Sequence, residues 1–248
     1  MFIDTHAHLN VDPFYKDVTP YIEKALEAGV ERIVVPGIDI ETSERAIELA
    51  DRYNGVYAAV GVHPHDSVEA PVDYLRLIED MLKHPKVCAV GEVGLDYFRD
   101  YAPAAVQKKV FYDQVALAKS YGYPLIVHNR SADADTFNIL HALNYFNVQF
   151  HCYGSDEKFA KVILKKGVMI SFTGVVTFSD HAREIIATIP LDKLMIETDS
   201  PWMAPVPHRG KLNQPAYVVE IAKTYGHVFG KSLEEIEKIT TNNARMFF

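Results

Sequence analysis

Histidine and carboxylate side chains gather at a few short places in this sequence. The first is Asp4-Thr5-His6-Ala7-His8. In extended backbone residues i and i+2 point to one side, so His6 and His8 present two imidazoles to a single ion. Alone, a His-X-His pair is a weak signal. Further candidates follow in Gly91-Glu92-Val93-Gly94-Leu95-Asp96, Val127-His128-Asn129-Arg130, Phe150-His151-Cys152 and Glu197-Thr198-Asp199-Ser200-Pro201. Taken singly, His128 and His151 fit a solvated or core imidazole equally well. Four imidazoles meeting two carboxylates are harder to explain as core filling, because buried polar groups need partners. His6, His8, Glu92, His128, His151 and Asp199 offer more donors than one tetrahedral ion with an open position uses. Two divalent ions roughly 3.5–4 Å apart, joined by a carboxylate, would take all of them. Glu92, lying between the two histidine groups in sequence, is the expected bridge. Asp199 is expected to bind the first ion and to accept a proton from an attacking water as general base.

Each of these groups stands at the end of a short apolar run. Such runs occur at Phe2–Thr5, Arg32–Val35, Val56–Val60, Val87–Val90, Leu125–Val127, Val148–Phe150, Val168–Phe172 and Leu194–Glu197, and they read as buried strands. Helical periodicity fills the intervals, at Thr19–Ala28, Thr42–Tyr53, Val72–Leu82, Ala105–Tyr121, Ala132–Leu143, Lys158–Lys166 and Asp180–Thr188. Thr42 is the expected N-cap of its helix, Gly29 and Gly167 are expected C-caps, and Ser232-Leu233-Glu234-Glu235 matches a capping box. Additional C-terminal helices are expected at Pro215–Tyr225 and Leu233–Thr240. Strand then helix, repeated over 248 residues, is the arithmetic of an α/β fold of the (β/α)₈ TIM-barrel type. Its active sites lie at the C-terminal ends of the strands, where the donors fall. The rival, an open doubly wound sheet, often has a glycine-rich first turn, and Asp4-Thr5-His6-Ala7-His8 contains no glycine. No repeat or linker interrupts the chain, so residues 1–248 are expected to form a single hydrolase barrel domain.

Composition narrows the function. Lys and Arg number 25 against 33 Asp and Glu, a net charge of −8, which argues against a simple electrostatic nucleic-acid binder but leaves room for a local basic site. Arg130, Arg209 and Lys211 follow strands five and eight and are candidates to neutralise substrate phosphates. His63, in Gly61-Val62-His63-Pro64-His65, is a further candidate to donate to a phosphate. Trp202, Tyr97 and Phe98 fit base stacking or loop packing equally well. Two cysteines, Cys88 and Cys152, exclude a disulfide framework and read as buried thiols. No basic segment precedes an apolar stretch, and no long uncharged run appears. The expectation is a cytoplasmic protein with no membrane association and no obligate protein partner.

The donor-bearing stretches also occur together in a recognisable order. Phe2-Ile3-Asp4-Thr5-His6-Ala7-His8, Gly61-Val62-His63-Pro64, Gly91-Glu92-Val93-Gly94-Leu95-Asp96-Tyr97, Pro124-Leu125-Ile126-Val127-His128, His151-Cys152-Tyr153-Gly154, Glu197-Thr198-Asp199-Ser200-Pro201 and Arg209-Gly210-Lys211-Leu212-Asn213 span most of the chain. In this order they resemble the TatD family of metal-dependent hydrolases and deoxyribonucleases, a branch of the amidohydrolase superfamily. The resemblance implies a distorted barrel with His6, His8 and Asp199 at one ion, His128 and His151 at the other, and Glu92 between them. It also implies a 3′–5′ exonuclease whose substrate is DNA, as single strands or 3′ ends, cut by a metal-activated water. Four imidazoles favour Zn, Mn, Co or Ni, whereas Mg is the ion commonly supplied to nucleases of this resemblance. The alternatives are hydrolysis of a small ester, lactone, amide or aminoacyl-tRNA at the same ring of donors, and a non-enzymatic metal- or nucleic-acid-binding role.

Overall fold

Eight parallel strands lie side by side in chain order, with helices packed between successive strands. The computed structural model describes residues 1–248. The strands are β1 (Phe2–Asp4), β2 (Val30–Pro36), β3 (Val56–Val60), β4 (Val87–Asp96), β5 (Leu125–Arg130), β6 (Val148–Phe150), β7 (Met169–Phe172) and β8 (Leu194–Ile196). Seven helices follow the first seven strands: α1 (Thr19–Glu27), α2 (Ile40–Arg52), α3 (Tyr74–Met81), α4 (Ala104–Tyr121), α5 (Asp133–Ala142), α6 (Glu157–Leu164) and α7 (Asp180–Ile186). Two more, α8 (Val218–Phe229) and α9 (Leu233–Phe247), follow β8. This is the (β/α)₈ barrel, with extra C-terminal helices.

Closure between β8 and β1 is irregular. The Thr5 amide donates to the Ile196 carbonyl at 3.1 Å and the Asp199 amide to the His6 carbonyl at 2.9 Å, while Ala7 and Ser200 form one isolated bridge. The barrel is therefore shut by the segments just beyond the two short strands. Those segments carry His6, His8 and Asp199, so the distortion and the donor cluster share one cause.

The strands are rich in Val, Ile, Leu and Ala because both of their faces are buried, one in the barrel and one under the helices. Beneath the barrel, Ile3, Met169, Met195 and Ala244 pack together with Phe247 and Phe248, so α9 covers the floor. Its Asn243 amide donates to the carbonyls of Leu191 and Leu194, both at 2.8 Å, which satisfies two groups at the mouth of β8.

Several boundaries differ from the sequence expectation, each for a physical reason. β4 continues past Val90 to Asp96, with a register shift between Val90 and Val93, and β5 continues to Arg130. Gly94 makes that pairing possible: its φ is +142°, and a Cβ there would lie 1.9 Å from the His128 carbonyl oxygen. Thr42 does not cap α2. Asp39 is the N-cap, accepting the Thr42 amide at 2.7 Å, and Thr42 is the third residue of the helix, closing a capping box with its hydroxyl. Pro215–Tyr217 forms a short 3₁₀ turn ahead of α8, and α9 runs on past Thr240 because Asn243 has partners inside the fold.

Candidate metal centre

Glu92 stands at the centre of the C-terminal end of the barrel and is almost completely buried. Its two carboxylate oxygens face different groups. Oε2 lies 3.3 Å from Nε2 of His6 and 3.3 Å from Nε2 of His8. Oε1 lies 2.7 Å from Nε2 of His151, 3.0 Å from Nδ1 of His128 and 3.3 Å from Nε2 of His63. Asp199 approaches from β8, with Oδ1 at 3.7 and 3.5 Å from Nε2 of His6 and His8. All six expected donors thus meet at one place, and His63 meets them as well.

Backbone architecture delivers each group. His6 and His8 lie on the extended segment after β1, two residues apart and on one side of it. Asp4 ties that segment to β8: its carboxylate accepts the Thr198 amide at 2.9 Å and the Thr198 hydroxyl at 2.6 Å. Asp199 itself adopts φ +53°, a left-handed conformation that Asp tolerates better than most residues, and so turns its side chain toward His8. Glu92 and His128 come from neighbouring strands whose register sets Gly94 opposite His128.

At His128 and His63 a hydrogen bond at the far side of the ring decides which nitrogen offers a lone pair. His128 Nε2 lies 3.0 Å from Asp96 Oδ2, an acceptor only, so the neutral ring carries its proton there and turns its Nδ1 lone pair to the centre. Asp96 is held in turn by the Phe98 and Arg99 amides, both at 2.9 Å from Oδ1. The same Oδ2 lies 2.9 Å from Nε2 of His65. His151 turns Nδ1 toward Glu197 Oε1 at 3.8 Å and Nε2 toward Glu92. His63 is wired the other way. Its Nδ1 accepts the His65 amide at 3.2 Å, so a neutral ring keeps its proton on Nε2 and is a donor toward Glu92. Asp96, His65 and Glu197 were not singled out from sequence. Asp96 carried a legible signal, since Glu92, Gly94 and Asp96 alternate along one strand and fall on one side.

Charge follows this wiring. Burial works against ionised Glu92, but the imidazoles of His151, His63 and His6 and the bond to His128 outweigh it and hold the carboxyl well below its usual range. Burial also disfavours imidazolium at His8 and His128. There the carboxylates win, Asp199 and Glu92 holding His8 up at about 9 and Asp96 and Glu92 holding His128 up at about 9. His6 and His63 are pushed down, to about 3 and about 4, chiefly by burial. Burial pushes Glu197 up to about 7 against the pull of His151, while Ser171 and Gln149 donate to its Oε2 at 2.8 and 3.2 Å. Cys88 and Cys152 are unpaired and only partly exposed, and burial pushes the Cys88 thiol up to about 12.

The donor set suits divalent cations. Nε2 of His6 and Nε2 of His8 lie 3.0 Å apart with Glu92 and Asp199 oxygens around them, so lone pairs and carboxylates converge where positive charge is wanted. The buried Nδ1 atoms of His6, His8 and His151 have no hydrogen-bond partner, which leaves Nε2 as the working nitrogen of each. Three groupings bring donor atoms within 4.8 Å of one another: His6, His151 and Asp199; His6, His8 and Glu92; and His63, Glu92 and His128.

Arg130, Arg209 and Lys211 are exposed on the rim and do not join the cluster. The Arg130 guanidinium lies 3.9 Å from the Phe98 ring centroid and the Arg209 guanidinium 3.9 Å from that of Phe178. No helix is long and apolar enough to cross a membrane.

Comparison with known proteins agrees with this geometry. Residues 3–248 match the family described as TatD related DNase. An uncharacterized metal-dependent hydrolase of Bacillus subtilis is 41% identical over 252 residues, covering 100% of this chain and 99% of the relative. Another from Mycobacterium tuberculosis is 34% identical, covering 98% of this chain and 96% of its own. Among solved structures, a TatD homolog from Escherichia coli K12 superposes with a TM-score of 0.94 at 30% identity, covering 100% of this chain and 97% of that one. With a barrel that closes through its own donor segments, and with relatives matched from end to end, this chain belongs to the TatD family and is a metal-dependent hydrolase.

Proposed function

We propose that the protein is a deoxyribonuclease that hydrolyses phosphodiester bonds from the 3′ end of DNA. The observation that carries this reading is Glu92, whose two oxygens face two separate groups of imidazoles beneath a rim bearing Arg130 and Arg209. His6, His8 and Asp199 would hold one divalent ion and His128 and His151 a second, with Glu92 placed between the two groups. When bound, such ions supply Lewis acidity that activates water and polarises a phosphoryl oxygen. The protein's own groups do the rest. Asp199 is ionised, because its contacts with His8 and His6 outweigh burial and lower its pKa, so its carboxylate accepts the proton of the attacking water. Asp96 fixes the ring of His128 by a hydrogen bond to its Nε2, and Glu197 places a carboxylate 3.8 Å behind His151. In the substrate-free site His63 directs its Nε2 proton at Glu92; a substrate phosphoryl oxygen would take over that proton, and burial lowers the ring's pKa and keeps it neutral at working pH. Arg130, Arg209 and Lys211 neutralise backbone phosphates of the strand, which an acidic protein must do locally.

The test is degradation of 5′-labelled single-stranded DNA by metal-stripped protein after addition of Mg, Mn or Zn, beside Glu92→Ala. The expected result is a metal-dependent ladder that shortens from the 3′ end and is absent in the variant. Equal, intact label in both lanes with every metal removes the nuclease reading.

A further inference from the structure

Around the metal centre the rim exposes large aromatic rings for which hydrolysis itself has no use. Trp202 is 50% exposed, yet its ring meets that of His8 edge-on with centroids 5.1 Å apart. Its loop is pinned: the Trp202 amide donates to the Asp199 carbonyl at 3.0 Å, and the buried Asn213 amide donates to the carbonyls of Thr198 and Trp202. Phe98, 58% exposed, lies under the Arg130 guanidinium, and Phe178, 41% exposed, lies under that of Arg209. Arg209 is fixed further by donating to the Ala204 carbonyl at 3.0 Å, and the Val206 amide donates to the Thr177 hydroxyl at 2.8 Å, tying the two loops together. Hydrogen bonds thus tie down the loops that carry Trp202 and Arg209.

Each guanidinium carbon lies 3.9 Å from the centroid of an exposed ring, so each pair is a plate that joins a π surface to a positive charge. Flat π surfaces alternating with fixed positive charges complement an unstacked strand, in which bases alternate with phosphates. A duplex hides its base faces and gains nothing from such plates.

We propose that Trp202, together with the Phe98–Arg130 and Phe178–Arg209 plates, is a stacking platform that receives the unpaired bases of a DNA end and so sets which phosphate lies over Glu92. This rests on the phosphodiesterase reading and names the residues that select its substrate. Trp202, in contact with His8, takes the base nearest the cluster, and the two plates take bases farther along the strand.

The test compares two octamers with non-hydrolysable phosphorothioate linkages, oligothymidylate and an abasic tetrahydrofuran strand, on metal-loaded protein. Binding is read by anisotropy of a 5′ dye and, with unlabelled strands, by tryptophan emission, which reports on Trp202 alone because the chain has one tryptophan. The expected result is quenching by oligothymidylate only and a preference over the abasic strand on the order of 10-fold. Phe98→Ala and Phe178→Ala, at exposed positions away from the donors, are each expected to lose several-fold of that preference. Trp202→Ala loses it and Trp202→Phe restores it. Equal binding of both strands with unchanged emission overturns the platform while leaving the nuclease reading intact, because phosphates are still held. Binding of neither strand overturns both.

Discussion

A single carboxylate oxygen, Asp96 Oδ2, sets the working tautomer of His128. Partners behind a metal-binding histidine orient the ring and raise its basicity, and losing one typically costs roughly 10- to 100-fold in metal affinity. Asp96→Asn is therefore expected to weaken metal binding within that range in a competition titration against a chromophoric chelator. Unchanged affinity would mean that His128 needs no such support. Protons compete for the same lone pairs. With His8 and His128 held up at about 9 in the metal-free protein, both rings are protonated at neutral pH and must lose those protons as metal enters. The sign is fixed: affinity rises as pH climbs from 6 toward 9, and loading at pH 7 releases protons, measurable in a weakly buffered calorimetric titration. A pH-independent affinity contradicts this. The six expected donors were legible in the sequence because each stands at a strand end. Asp96 was legible only as a residue alternating with Glu92 along one strand, and the reversed wiring of His63 was not legible at all, since it depends on which nitrogen meets which neighbour, and that is settled only by register.

At the scale of elements, the pairing of β4 with β5 carries the site. The apolar runs at Val87–Val90 and Leu125–Val127 mark where these strands begin, but the polar residues beyond them hide how far they continue. Gly94 is the element's weak point, combining positive φ with a backbone oxygen where a Cβ would go. Gly94→Ala is expected to lower unfolding free energy in urea by at least ~3 kcal/mol and to lower metal content with it, because Glu92 and His128 flank the distorted pair. A variant with native stability would show that the strands part there without cost. Helix starts were only partly readable. Asp39 and Thr42 form one capping box, and both are residue types that cap helices, so the sequence alone does not separate them.

For the whole molecule, closing β8 onto β1 through the proposed donor segments would link metal binding to the fold. His6 and His8 come from the first strand and Asp199 follows the last, so an ion held among them clamps the two edges of the barrel. A ligand that binds only the folded state stabilises it by about 2.7 kcal/mol at a hundredfold excess over Kd. Chelation is thus expected to lower the thermal midpoint, and re-addition of metal to restore it; an unmoved midpoint would mean the closure does not depend on the ions. The eightfold alternation was legible at this scale because parallel strands buried on both faces leave unmistakable apolar runs. The irregular closure was not, since Asp4, Thr198 and Ser200 are polar residues whose pairing across the ends of the chain has no local signature. In the proposed centre Glu92 would join two ion sites, one built on His6, His8 and Asp199 and the other on His128 and His151. The most direct test is the number of metal ions bound per chain, by native mass spectrometry, in the wild type and in a His128→Ala, His151→Ala double variant. Two ions are expected in the first and one in the second; one ion in both would refute the paired centre.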